Sequence, residues 1–228
     1  PEIMIPLVSA MREVEIVKTR IDRVAVAVRS ETGVAFTYRL GVMVETPRAA
    51  LRSEDIAQHA SFLSFGTNDL TQMTYGLSRD DAGRFMSAYV KARVYAEDPF
   101  HTLDIEGVGE LLKIGAERGR AGRPGITLSI CGEHGGSRSA IEFCRKQGFD
   151  YVSCSPFRVP VARLSAAQLA LADRFGQRII DQRIQRIAPK QPKHVLHFLR
   201  RWANMAAICK VIRQVVGWGK RHETLQFS

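Results

Sequence analysis

Apolar residues recur along the first three quarters of the chain in two alternating rhythms. Short runs at 3–8, 37–45, 62–65, 126–130 and 151–154 have the length of buried strands, and stretches with apolar positions three and four apart lie between them. The stripe Val14, Val17, Ile21, Val24 and Val28 predicts a first helix, with Gly33 as its stop. Pro47 suits the first turn of a helix over 47–60. Asp104 is placed to cap a helix carrying Val108, Leu111 and Leu112, and Ser137 to cap one carrying Ile141 and Cys144 and ending at Gly148. A further helix spans 159–172. Strand then helix, repeated, predicts an α/β fold with a parallel sheet. Only between 78 and 100 does the pattern lapse, and the charges and proline there read as a functional excursion or lid.

Three of the five strands end on chemically loaded residues: Glu45, the run Gly66, Thr67, Asn68 and Asp69, and Cys131. Polar groups at the carboxyl ends of successive parallel strands are the arrangement of a (β/α)8 barrel active site. A barrel needs eight strands and about 250 residues, so five strands in 172 residues predict an open, partial TIM-type barrel. A doubly wound sheet is the alternative, although no GxGxxG follows any strand. Gly66 lets backbone N–H groups approach a bound anion, Asp69 suits a metal ligand or a base, and Asn68 a neutral hydrogen-bond partner. The same four residues also have the composition of a surface turn.

With 45% hydrophobic and 25% charged residues in 228, the chain has the balance of a globular protein, and no apolar run reaches the length of a membrane span. No secretory signal is visible, and a start directly on a strand suggests a piece of a longer protein. Cys131, Cys144, Cys154 and Cys209 form no CxxC pair, which points to reduced thiols in a cytoplasmic protein. The net charge of +10 is unevenly placed: twelve of the 33 Lys/Arg but three of the 23 Asp/Glu lie from residue 173 onward. Polyanion binding is therefore a question about residues 173–228 alone.

Six segments stand in order along residues 1–172. They are Pro1-Glu-Ile-Met-Ile-Pro-Leu-Val8, Val42-Met-Val-Glu-Thr-Pro-Arg-Ala-Ala50, Ser64-Phe-Gly-Thr-Asn-Asp-Leu-Thr-Gln72, Ser78-Arg-Asp-Asp-Ala-Gly83, Cys131-Gly-Glu-His-Gly-Gly136 and Asp150-Tyr-Val-Ser-Cys-Ser-Pro-Phe-Arg-Val-Pro160. Together they resemble the carboxyl-terminal part of the pyruvate, phosphate dikinase family, among the phosphoenolpyruvate (PEP)-utilising enzymes. PEP synthase and enzyme I of the sugar phosphotransferase system share the Asn-Asp-Leu-Thr-Gln segment, but the Cys-Gly-Glu-His-Gly-Gly form favours the dikinases. The resemblance implies the last five strands of the barrel and the transfer of a phosphoryl group between a phosphohistidine and the enolate of pyruvate. It assigns Glu45 and Asp69 to Mg²⁺, Gly66, Thr67 and Asn68 to the substrate, and Cys131 to acid/base work at the methyl carbon. It also implies phosphohistidine and nucleotide-binding domains elsewhere in a longer enzyme, and a homodimer. His134 reads as a hydrogen-bonding member of its loop rather than the phosphocarrier, and Arg158 and Arg163 as ion-pair partners.

Some features depart from that pattern. The arginines that hold the transferred phosphoryl group in the family are absent, and Ser129 stands where glycine is expected, so its side chain can crowd the substrate. Residues 173–228 fall outside the resemblance. Phe175, Ile179, Ile180, Ile184 and Ile187, then Val195, Leu199, Trp202, Ala206, Cys209, Ile212 and Val216, predict two basic amphipathic helices. Such helices can bind an anionic membrane surface or partner helices, or pack on the open barrel edge. The rival to a catalytic reading is thus an inactive fragment that binds through its basic tail.

Overall fold

The computed structural model describes residues 1–172 and the backbone of 224–226. Five parallel strands, β1 (Glu2–Ile5), β2 (Arg39–Val44), β3 (Phe62–Gly66), β4 (Thr127–Cys131) and β5 (Tyr151–Ser153), lie side by side in chain order. A doubly wound sheet reverses its strand order part-way, whereas a barrel wall does not. The observed order is that of a barrel wall, five strands of the eight that closure requires. One strand was not anticipated: β6 (Thr224–Gln226) pairs antiparallel with β5, so three residues of the expected helical tail are extended. The predicted tail helices over 173–216 lie outside the described residues.

Period-two alternation splits the sheet into two chemically different faces. Leu40, Val42 and Val44 of β2, Leu63 and Phe65 of β3, and Leu128 and Ile130 of β4 are buried in one continuous core. Phe65 meets Phe149 edge to face at 5.2 Å. Burying each such side chain contributes about 1.5–3 kcal/mol. The alternate positions, Met43, Ser64, Gly66, Ser129 and Cys131, turn to the other face, where register sets Ser64 beside Ser129 and Gly66 beside Cys131. The apolar face is closed by α2 (Pro47–Leu51), α3 (Ser53–Ala57) and α7 (Val108–Gly122). Gly115, Gly119 and Gly122 on one side of α7 permit this approach, since a Cβ there would lie 2.6 Å from Phe65, 2.8 Å from Leu63 and 1.9 Å from the Glu54 carbonyl oxygen.

Several local expectations hold. Gly33 ends α1 (Met11–Thr32) at φ 68°, Ser137 accepts from Ala140 N–H at the start of α8 (Arg138–Lys146), and Asp104 accepts from the Gly107 and Val108 N–H groups. Two expectations are corrected. The helix over 47–60 is two short helices, α2 and α3, because Arg52 leaves helical geometry between them. The stripe on α1 reaches the core only through Val14, Val17 and Ile21, while Val24 is 61% exposed. A helix of 22 residues runs about 33 Å and overshoots a four-residue strand of about 13 Å. The excursion is not structureless. It folds as α5 (Arg79–Ala82) and α6 (Met86–Lys91) around Ala82, Met86 and Phe100, with Leu77, Phe85 and Tyr95 against them. Among the described residues no helix is long and apolar enough to cross a membrane.

Candidate active site at the carboxyl ends of the strands

The polar face of the sheet reaches its chemistry at the ends of β2, β3 and β4. Glu45 follows β2 and is 4% exposed, its Oε1 accepting from the Leu7 N–H at 2.7 Å. At β3 no turn intervenes: α4 (Thr67–Tyr75) starts on the residue after Gly66, so Asn68 and Asp69 stand in a first helical turn. The turn reading is thereby replaced. The reason for Gly66 is also more specific than expected, because a Cβ there would lie 2.7 Å from Glu45 Oε2 and 3.0 Å from the Met43 sulfur. The glycine makes room for the Glu45 carboxylate.

Glu45 and Asp69 interact directly. Burial pushes the Glu45 carboxyl above its ordinary value, the Leu7 N–H opposes this, and the charge and hydrogen bond of Asp69 push it further up. Gln72, one turn on, donates from Nε2 to Asp69 Oδ1 at 2.9 Å and orients that carboxylate. Two neighbouring carboxylates, Glu45 buried and Asp69 half-buried, with no side-chain cation paired to either among the described residues, fit a hard divalent ion, which takes few carboxylates and completes its shell with substrate oxygens. Among the described residues no set of three or more His, Cys, Asp or Glu side chains could hold a metal ion, so these residues offer the carboxylate pair alone.

Cys131 ends β4 within the field of both carboxylates. Burial raises its thiol first, a hydrogen bond with Ser64 lowers it, and Glu45 and Asp69 raise it again, so the proton stays on sulfur at neutral pH. Cys131 also lines a cavity of about 310 Å³ with Gly132, Glu133, Cys154 and Arg158. Ser129, two residues earlier, is buried, and its hydroxyl has no hydrogen-bond partner among the described residues. By contrast Cys144 is sealed in the apolar core, and burial alone raises its thiol far up.

The loop after Cys131 closes the site. His134, 1% exposed, places Nδ1 2.9 Å from Thr67 Oγ1 and Nε2 3.0 Å from the Pro99 carbonyl oxygen. Burial holds its pKa below 6.5; Pro99 and Glu133 oppose this, whereas Arg79 and His101 reinforce it. The unfolded chain therefore takes up a proton that the folded one refuses. The stability tied to His134 is full above about pH 6.5 and is lost as pH falls below it. Urea unfolding at pH 7.5 and 5.5 is expected to show this loss, and His134→Gln to reduce it. An unchanged pH dependence in the variant would contradict the assignment.

Two residues without an assigned role also stand here. Arg79 Nη1 donates to Asn68 Oδ1 at 2.9 Å and lies 3.4 Å from Glu133 Oε1, while Arg158 Nη2 lies 3.9 Å from Glu133 Oε2. Arg158 is thus an ion-pair partner, as expected, and Glu133 bridges two cations at the rim. Arg79 stands in the Ser78–Gly83 segment quoted above, but no role was read into it, because its partner Asn68 lies eleven residues back, across a helix.

The family profile described as PEP-utilising enzyme, PEP-binding domain, matches residues 1–171. The chain belongs to this family. Its PEP-binding domain is 57% identical over 171 residues to the pyruvate, phosphate dikinase of Clostridium symbiosum, covering 75% of this chain and 20% of that protein. The pyruvate, phosphate dikinase of Rhizobium meliloti (strain 1021) is 56% identical over 174 residues, 76% of this chain and 19% of its own. The chloroplastic pyruvate, phosphate dikinase 1 of Arabidopsis thaliana is 52% identical over 172 residues, or 75% and 18%. The chain thus spans about a fifth of the length of these relatives. Among solved structures, a citrate lyase of Burkholderia xenovorans LB400 aligns over 97% of this chain and 66% of its own, with 15% identity and a TM-score of 0.48.

Proposed function

We propose that this PEP-binding domain binds pyruvate or PEP and houses phosphoryl transfer between a phosphohistidine and the enolate of pyruvate, within a cytoplasmic enzyme of the dikinase type. The observation that carries the reading is the meeting of Glu45, Asp69 and Cys131 at the ends of neighbouring strands, a carboxylate pair beside a protonated thiol. Glu45 and Asp69 would hold Mg²⁺, which when bound stabilises negative charge on the substrate carboxylate and enolate oxygens. The first N–H groups of α4, at Thr67 and Asn68, lack helical acceptors and can orient the substrate carboxylate. Cys131 acts at the methyl carbon. Its S–H gives a proton to the methylene of the enolate as pyruvate forms, and the thiolate takes one back in the other direction.

Phosphoryl transfer depends mainly on positioning and cationic stabilisation. Arg79 and Arg158 at the rim are the cations this part of the site offers, and Glu133 holds both. The phosphohistidine and nucleotide sites belong to the remaining length of proteins such as the relatives, and the partner in a homodimer would be a second copy of that longer enzyme. Calorimetry with oxalate, a planar dianion shaped like enolpyruvate, tests the reading on the purified chain. Binding is expected with Mg²⁺ and not with EDTA. Equal heats in both, or none from a folded chain, would sink it.

A further inference from the structure

His134 lies three residues beyond Cys131, yet its two ring nitrogens bond to neither the carboxylate pair nor the thiol. Its two ring nitrogens have different partners, and these fix its state. The Pro99 carbonyl can only accept, so Nε2 carries the proton; burial keeps the ring neutral, so Nδ1 is a bare acceptor facing Thr67 Oγ1 at 2.9 Å. The Thr67 hydroxyl has one proton and two acceptors in reach, His134 Nδ1 and, at 3.1 Å, the Cys131 carbonyl oxygen.

Thr67 is also the surface on which the catalytic loop rests. Gly132, directly after Cys131, has φ 110° and ψ −170°, a region open to glycine, and a Cβ on it would lie 2.9 Å from Thr67 Oγ1. The Cys131–Gly132 peptide is therefore seated against the Thr67 side chain. Whatever fixes the Thr67 rotamer fixes that peptide, and with it the thiol.

We infer that His134 is a positioning residue: it anchors the Thr67 hydroxyl, which seats the Cys131–Gly132 peptide and so sets where the Cys131 thiol stands. Pro99, at the end of the excursion, is the fixed point behind it, so the imidazole ties that segment to the thiol through a single side chain. The inference rests on the proposed reading only for the chemical importance of Cys131.

Site-resolved alkylation of the full chain by iodoacetamide, followed by peptide mass spectrometry, tests it without metal or ligand. An Asn side chain keeps an acceptor near the Nδ1 position, whereas Gln keeps a donor near Nε2 and loses contact with Thr67. His134→Gln is expected to speed alkylation of Cys131 about tenfold, the size of one buried hydrogen bond, and His134→Asn less than about twofold. Thr67→Val, which keeps the shape but removes the hydroxyl, should match His134→Gln. The double variant should be no faster than either single, because both break one chain of contacts. Cys144, sealed in the core, should stay unreactive throughout and so reports any general opening.

Equal rates in the Asn and Gln variants, an unaltered rate in Thr67→Val, multiplied effects in the double variant, or Cys144 rising in step with Cys131 would each overturn the inference. If His134→Gln does not fold, the Thr67→Val and His134→Asn rates still decide it. Failure of oxalate to bind the wild type would count against the proposed function and leave this contrast standing.

Discussion

Asp69→Asn is expected to abolish Mg²⁺-dependent oxalate binding while raising the melting temperature. The loss should exceed about 100-fold, because even residues that only hydrogen-bond to a metal's ligands are worth about 10–100-fold. Stability moves the other way because Asp69 is a liability to the metal-free fold. Its charge is one of the causes that push the buried Glu45 carboxyl upward, and an amide removes that charge at almost constant shape. Asn can still meet Gln72, which now donates to Asp69 at 2.9 Å. Relief of about 1 kcal/mol in a domain of this size corresponds to about 2–4 °C. Calorimetric titration and thermal unfolding in EDTA measure the two effects. A lowered melting temperature would mean that Asp69 serves the fold and not a ligand.

Gly122→Ala is expected to be the most damaging single-methyl change in the domain. At the end of α7 the added carbon would lie 1.9 Å from the Glu54 carbonyl oxygen and 2.7 Å from its carbonyl carbon, and backbone atoms cannot rotate away as a side chain can. Either α3 or α7 must shift, and α7 also packs on Phe65 and Leu63 through Gly115 and Gly119. Overpacking of this kind costs about 1–3 kcal/mol and at times more, and against backbone the upper end is expected. Gly83→Ala is the control, since a Cβ there meets nothing within 4 Å. Urea midpoints should fall strongly for the first and little for the second. Equal midpoints would show that the α3–α7 contact yields easily.

The alternating rhythms made the parallel sheet legible, because short apolar buried strands and capped amphipathic helices leave local marks. Gly33, Ser137 and Asp104 took the roles their residue types predicted. The glycine face of α7 did not show, because a hydrophobic stripe was sought and the contact is made by absence of side chains. The break at Arg52 left no mark either, since neither proline nor glycine causes it. In the site, the strand-end residues Glu45, Asp69 and Cys131 were legible by position. The links between them were not, because Gln72 to Asp69 needs a helical turn and His134 to Pro99 spans 35 residues.

The direct passage of β3 into α4 decides where this domain can adapt. Strand and helix share the joint at Gly66, so Asn68 and Asp69 cannot move without dragging a buried strand or unwinding a helix. Half of the proposed pocket is therefore an anvil. Accommodation to a new substrate, in an evolving sequence or in the laboratory, falls to the exposed rim formed by Arg79, Glu133 and Arg158. Libraries built there keep the fixed half intact, whereas libraries in the Asn68–Asp69 turn exchange specificity for collapse of the fold.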